Sequence, residues 1–180
     1  MRIEDTPIEG LKVIYPNVFA DKRGYFFESW NEKVFTENGI TTRFVQDNQS
    51  LSQKNVLRGL HFQAPPFGQA KLVRVVTGAV LDVAVDIRKK SPTYGQHFAI
   101  ELNEENKTMF FMPEGFAHGF LTLRDNTIFA YKCSNYYSKA SEGTLLWNDP
   151  AVGINWNVDS PLLSEKDIIG TSLKDLVSPF

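Results

Sequence analysis

Between Lys71 and Ser134 the chain alternates apolar and polar residues in short runs separated by turn residues. Within Ala79 to Arg88, Leu81, Val83, Val85 and Ile87 share one face, and Asp82, Ala84, Asp86 and Arg88 share the other. A period of two marks a strand, because successive side chains project to opposite sides of a pleated backbone. Lys71 to Val76 precedes this run across Thr77-Gly78, and Gln96 to Leu102 follows a Ser91-Pro92-Thr93 turn. Thr108 to Met112 comes after Asn103-Glu104-Glu105-Asn106, and Pro113-Glu114-Gly115 leads to His118 to Leu123. Arg124-Asp125-Asn126 then opens Thr127 to Ser134. Short strands with turn signals about every 8–12 residues predict a sandwich or barrel.

Helical signals are few. Asn31 to Asn38, closed by Gly39, has room for two turns with glycine at the C′ position. Ser164 reads as an N-cap, with Asp167 three residues on. The fold predicted is mainly β: a jelly-roll barrel with a few short helices, filling residues 1–180 as a single domain. Such barrels take ligands in their mouth or interior, where inward polar side chains are informative.

Composition narrows the function classes. The 180 residues are 42% hydrophobic and 22% charged, which excludes disorder for most of the chain. Nineteen basic residues against twenty-one acidic ones give a net charge of −2, and the longest basic run is Arg88-Lys89-Lys90. That argues against general nucleic-acid binding, whereas a small phosphorylated ligand needs only a few placed cations. Cys133 is the single cysteine, so neither an internal disulfide nor a cysteine-rich zinc site is expected. Met1 to Asp5 lacks a signal-peptide apolar core and no long apolar run occurs, so a cytoplasmic protein with no membrane segment is expected. Aromatic residues reach 13%, which again favours pleated surfaces.

Three histidines can be weighed one by one. His61, in Arg58-Gly59-Leu60-His61-Phe62-Gln63, fits a general base pointing into a barrel or a core histidine bonded to a carbonyl. His118, after Pro113-Glu114-Gly115-Phe116-Ala117, leaves the same two readings open, and His97 is read as a surface residue. Metal-binding cupins carry an H-x-H pair and a nearby glutamate, but the corresponding stretch here is His61-Phe62-Gln63. Two imidazoles without a paired carboxylate fall short of a tight first-row site, so no metal is expected. Asp167 is a candidate carboxylate for a histidine base, or simply a cap of its own helix. Tyr131 alternates within a strand and offers a phenol, or only packing. Arg23, Arg58, Lys71 and Lys166 could together hold a diphosphate and an oxyanion.

Four blocks then occur in order: Asn55-Val56-Leu57-Arg58-Gly59-Leu60-His61-Phe62-Gln63, Pro113-Glu114-Gly115-Phe116-Ala117-His118-Gly119-Phe120, Tyr131-Lys132-Cys133-Ser134-Asn135-Tyr136-Tyr137 and Trp147-Asn148-Asp149-Pro150. Together they resemble the dTDP-4-dehydrorhamnose 3,5-epimerase family, from about Gly10 to Gly170. The resemblance implies a cupin-type jelly roll without cofactor or metal. It also implies a dTDP-4-dehydro-6-deoxy-D-glucose substrate, whose C3 and C5 hydrogens are acidified by the C4 ketone. By the same resemblance His61 is the base, Asp167 its partner, Tyr131 the acid on the opposite face and Lys71 the enolate stabiliser. Arg23, Glu28, Gln46, Asn48, Arg58, His118, Glu142 and Lys166 match positions that hold the nucleotide sugar, and Tyr137 matches the ring that stacks on thymine. The family pattern further implies a homodimer, with residues 22–30 as a strand paired to the neighbouring subunit's sheet and Arg23 and Glu28 serving that subunit's site.

In an ideal strand Arg58 and His61 point to opposite faces, although the resemblance assigns both to one site. A bulge or kink at Gly59 is therefore predicted. The alternatives are an epimerase acting at C3 or C5 only, a metal-dependent cupin, and a non-catalytic sugar-binding module.

Overall fold

The computed structural model describes residues 1–180. Thirteen strands and two short helices run in chain order: β1 (Arg2–Asp5), β2 (Lys12–Tyr15), β3 (Phe19–Asp21), β4 (Gly24–Phe26), α1 (Glu32–Glu37), β5 (Gln46–Ser52), β6 (Leu57–Gln63), β7 (Lys71–Thr77), β8 (Ala79–Asp86), β9 (His97–Asn103), β10 (Met109–Met112), β11 (Phe116–Thr122), β12 (Thr127–Cys133), β13 (Glu142–Thr144) and α2 (Glu165–Ile168). They form a six-stranded sheet, β1-β2-β10-β7-β12-β5, a five-stranded sheet, β13-β6-β11-β8-β9, and the separate hairpin β3–β4. No helix is long and apolar enough to cross a membrane.

The mainly β architecture expected from the alternating pattern is present, as two sheets closed over a shared core. Val73, Val75, Phe110 and Phe129 of the first sheet meet Val80, Ala84, Phe116 and Phe120 of the second. Each such valine or phenylalanine side chain removed from water contributes about 1.5–3 kcal/mol. The period of two along β8 is real, and both of its faces are buried. Val83, Val85 and Ile87 pack outward against Leu57, Leu60, Leu145 and Trp156, beneath Leu173, Leu176 and Phe180. The face carrying Asp82, Ala84 and Asp86 is fully buried as well. Asp86 is satisfied there by Arg88, Ser91 and Thr93, all within 2.9 Å. Burial pushes its carboxyl up, but those hydrogen bonds prevail and hold its pKa at about 2.

The helix at 31–39 forms as α1, with the Asn31 side chain accepting from Val34 N and Gly39 at φ +82°. Phe35 of this helix, with Trp30 and Phe44, covers Ile14, Leu72 and Met109 on the outer face of the six-stranded sheet. Residues 22–30 depart from expectation. They do not form one strand; Gly24–Phe26 folds back on Phe19–Asp21 as a hairpin. Asp21 accepts from the backbone N–H and guanidinium of Arg23, which closes the turn. His97 also differs from a plain surface residue, because it is half-buried and its Nδ1 lies 3.1 Å from the Val152 carbonyl.

The kink at Gly59 is present. His118 pairs with His61 and Phe120 with Arg58, so one step pair on β11 faces an extra residue on β6. Gly59 has φ +134°, and a Cβ there would lie 2.5 Å from Gly119 Cα. Only glycine meets both demands. The added residue resets the alternation and turns Arg58 and His61 toward the same cavity.

Candidate active site

A cavity of about 410 Å³ opens between the sheets. β5 lends it Gln46 and Asn48, β6 lends Arg58 and His61, and β7 lends Lys71. His118 comes from β11, Tyr131 from β12, Glu142 from β13, and Lys166 and Asp167 from α2. Tyr137 stands at the rim, more than half exposed. Phe120 and Phe129, stacked at 4.2 Å, give the cavity an apolar wall. Arg23 and Glu28 are not brought here. Arg23 is exposed beside Asp21, and exposed Glu28 accepts from Asn31 Nδ2 at 3.0 Å.

His61 Nε2 lies 2.5 Å from Asp167 Oδ1. A carboxylate only accepts, so this nitrogen carries the hydrogen and the neutral ring keeps its lone pair on Nδ1. Nδ1 has no protein partner. Of the two readings of Asp167, its carboxylate faces His61 and does not cap the helix: Ser164 is the N-cap, its Oγ accepting from the Asp167 backbone N–H and donating to Oδ2 at 2.7 Å. Burial raises the Asp167 carboxyl, but hydrogen bonds from His61 and Ser164 and the charge of Lys166 hold it below the usual range. The α2 segment is tied at its two ends by parallel backbone bridges, Val56 to Leu162 and Leu145 to Thr171.

The other groups are tuned in the opposite sense. Burial raises the Tyr131 phenol above its ordinary range, against the opposing Arg58 and Asn48, so it stays protonated at neutral pH. Desolvation lowers the Lys71 ammonium, resisted by Cys133, Asp82 and Glu142. At the rim Lys166 Nζ donates to Glu142 Oε1 at 2.6 Å, and Tyr137 OH lies 3.3 Å from Glu142 Oε2. No group of three or more His, Cys, Asp or Glu side chains converges as metal ligands would.

Two residues of the site escaped the sequence reading. Gln63 is buried, donates to the Phe67 and Tyr136 carbonyls and accepts from Ser138 N, so it fixes the loop that carries Tyr137. Asp82 is fully buried with both oxygens 3.0 Å from His118 Nε2. The signal for Asp82 was its place on the same β8 face as the inward Ala84, two residues away.

The arrangement offers a base with a lone pair, a protonated phenol and an ammonium around one cavity, with further cations at its mouth. Comparison with known proteins points the same way. Residues 5–175 match the family model described as dTDP-4-dehydrorhamnose 3,5-epimerase. The enzyme of that name from Shigella flexneri is 52% identical over 176 residues, covering 97% of each chain. Its counterpart from Salmonella typhimurium is 54% identical over 169 residues, covering 93% of this chain and 92% of the other. The crystal structure of dTDP-6-deoxy-D-glucose-3,5-epimerase from Legionella pneumophila, in complex with dTDP-4-keto-L-rhamnose, superposes with a TM-score of 0.93. It shares 48% identity, over 96% of this chain and 93% of that one. By extent of match, sequence and fold alike, the chain belongs to the dTDP-4-dehydrorhamnose 3,5-epimerase family.

Proposed function

We propose that this enzyme converts dTDP-4-dehydro-6-deoxy-D-glucose into dTDP-4-dehydro-L-rhamnose by inverting C3 and C5. The observation that carries the reading is the His61–Asp167 pair sharing one cavity with Tyr131 and Lys71. His61 Nδ1 takes the proton from the carbon beside the C4 ketone, and the electron pair of the broken C–H bond moves onto the ketone oxygen as an enolate. Asp167 stabilises the imidazolium so formed, worth about 10²–10⁴-fold for a placed base. The Lys71 ammonium stabilises the enolate oxygen, a preorganised charge in a partly desolvated site. Tyr131 then returns a proton to the same carbon from the opposite face, which inverts the centre. His61 then releases its proton to solvent and Tyr131 regains one from solvent, and a second round at the other carbon completes the product, with no cofactor or metal in the scheme.

Arg58 and Lys166 hold the diphosphate, Gln46, Asn48, His118 and Glu142 the remaining polar groups, and Tyr137 stacks on the thymine. The working form is a cytoplasmic homodimer, each chain acting as one domain. Two observations support the dimer: Phe19, Tyr25 and Phe26 of the β3–β4 hairpin are more than half exposed, and β5 is an unpaired sheet edge beside the cavity. An arm placed on that edge would carry Arg23 and Glu28 to the neighbouring subunit's site.

Incubation with the dTDP-4-dehydro sugar in heavy water, read by NMR, tests the reading. Deuterium should enter at both C3 and C5, and not at all with His61→Ala. Entry at one carbon would make the enzyme a single epimerase, and sugar binding without entry would make it a binding module.

A further inference from the structure

Asp82 is placed oddly for a residue of the β-barrel interior. Its side chain has no exposure, lies outside the cavity lining, and makes hydrogen bonds to one group only, the Nε2 of His118. Burying a carboxylate with a single donor is costly, and an apolar side chain would fill the same space without that cost. His118 and Lys71 do line the cavity, entering from the two facing sheets. We infer that Asp82 is a positioning residue for the reaction: its carboxylate fixes the tautomer of His118 and supplies the counter-charge that keeps Lys71 a cation.

The first half follows from donor chemistry. A carboxylate facing Nε2 requires the hydrogen there, so a neutral His118 turns an Nδ1 lone pair to its remaining surroundings and can accept from a sugar hydroxyl. The second half follows from the charges around Lys71. Asp82 from β8, Cys133 from β12 and Glu142 from β13 favour its charged form, while Lys166 from α2 opposes it. Glu142 already serves Lys166 at 2.6 Å, and Cys133 is a buried thiol raised above its ordinary range. Asp82 is thus the one acid of the set with no cationic side chain of its own. His118 itself is faced by Asp82, Lys71 and His61; burial pushes it toward the neutral form, which leaves the negative charge of Asp82 free to act on Lys71.

The inference rests on the epimerase reading, and two measurements test it. In the unliganded wild type, imidazole ¹⁵N shifts should report His118 as the Nε2–H tautomer; an Nδ1–H tautomer overturns the inference. In Asp82→Asn, kcat/KM for deuterium entry should keep its acid limb, while its alkaline limb should move down by at least about one pH unit as Lys71 loses its counter-charge. The thermal midpoint should hold, because an amide still accepts from Nε2. An unmoved alkaline limb in a folded, active variant overturns the inference and leaves the epimerase reading intact. Wild-type protein that exchanges no deuterium overturns both. If Asp82→Asn fails to fold, Asp82 is a structural residue and the inference falls.

Discussion

His61 and His118 are cross-strand partners on β6 and β11, and each presents Nε2 to a carboxylate of its own. The two pairs differ in access. The His61 side chain is a quarter exposed, whereas His118 is buried. The exposed pair can trade a proton with a substrate; the buried one is suited to holding a fixed hydrogen-bond pattern.

Asp167→Asn should leave the cavity in shape but deprive the His61 imidazolium of its counter-charge. We expect kcat to fall by about 10²–10⁴-fold with little change in the KM of the sugar. Steady-state kinetics check this, and a loss confined to KM would refute it.

Tyr131→Phe should separate exchange from inversion. Proton removal by His61 continues, so deuterium still enters, while formation of the inverted product drops by about 10²–10⁴-fold. Parallel NMR measurement of label entry and product stereochemistry is the test. Equal loss of both would assign Tyr131 another role.

Asp86 makes stability depend on acid pH. Its carboxyl falls from an ordinary 3.8 to about 2 in the folded protein. A depressed carboxylate contributes its stability in full above the unfolded pKa and loses it as pH falls through the folded one. The contribution is about 2 kcal/mol at neutral pH. Urea unfolding of wild type and Asp86→Asn should therefore differ most above pH 5 and converge as pH drops from about 4 to 2.

Gly59→Ala should destabilise the protein by about 2–4 kcal/mol, because the new Cβ both meets Gly119 and demands a strained φ. Denaturant unfolding measures this. Activity should fall in the same variant, since the kink aims Arg58 and His61 at one cavity.

Mixing two inactive variants tests the exchanged arm. Arg23→Ala and His61→Ala should each be inactive alone, but hybrid dimers would hold one intact site, restoring about a quarter of wild-type activity after subunit exchange. No recovery in proven hybrids would place Arg23 at its own chain's site or at none.

Much of the fold was legible because alternation survives wherever strands are apolar. β7, β8, β9, β10, β11 and β12 lie within two residues of where the pattern put them. β5 left no such trace, since Gln46-Asp47-Asn48-Gln49-Ser50 is polar on both faces, one toward the cavity and one outward. Residues 22–30 read as one strand because their aromatics look like strand residues seeking a partner, whereas only Gly24–Phe26 among them is a strand, paired back on Phe19–Asp21. Individual chemistry was legible only as motifs in order. No local rule distinguishes Asp167 as cap from Asp167 as histidine partner; in the fold Ser164 takes the cap and the Asp167 carboxylate faces His61. Asp82 is easily passed over because a polar residue on an alternating strand normally faces water, and here that face, shared with Ala84, looks into the barrel.

The backbone bridges at Leu162 and Thr171 hold the α2 segment by main-chain atoms alone, and main-chain atoms do not read side-chain identity. The span between them is therefore free to drift in sequence wherever a side chain does not reach inward. Exposed Glu165, Ile168 and Ile169 should accept broad replacement in a saturation library, while Ser164, Lys166 and Asp167 between them should not. A functional segment anchored in this way would evolve as a few fixed letters within an otherwise unreadable word.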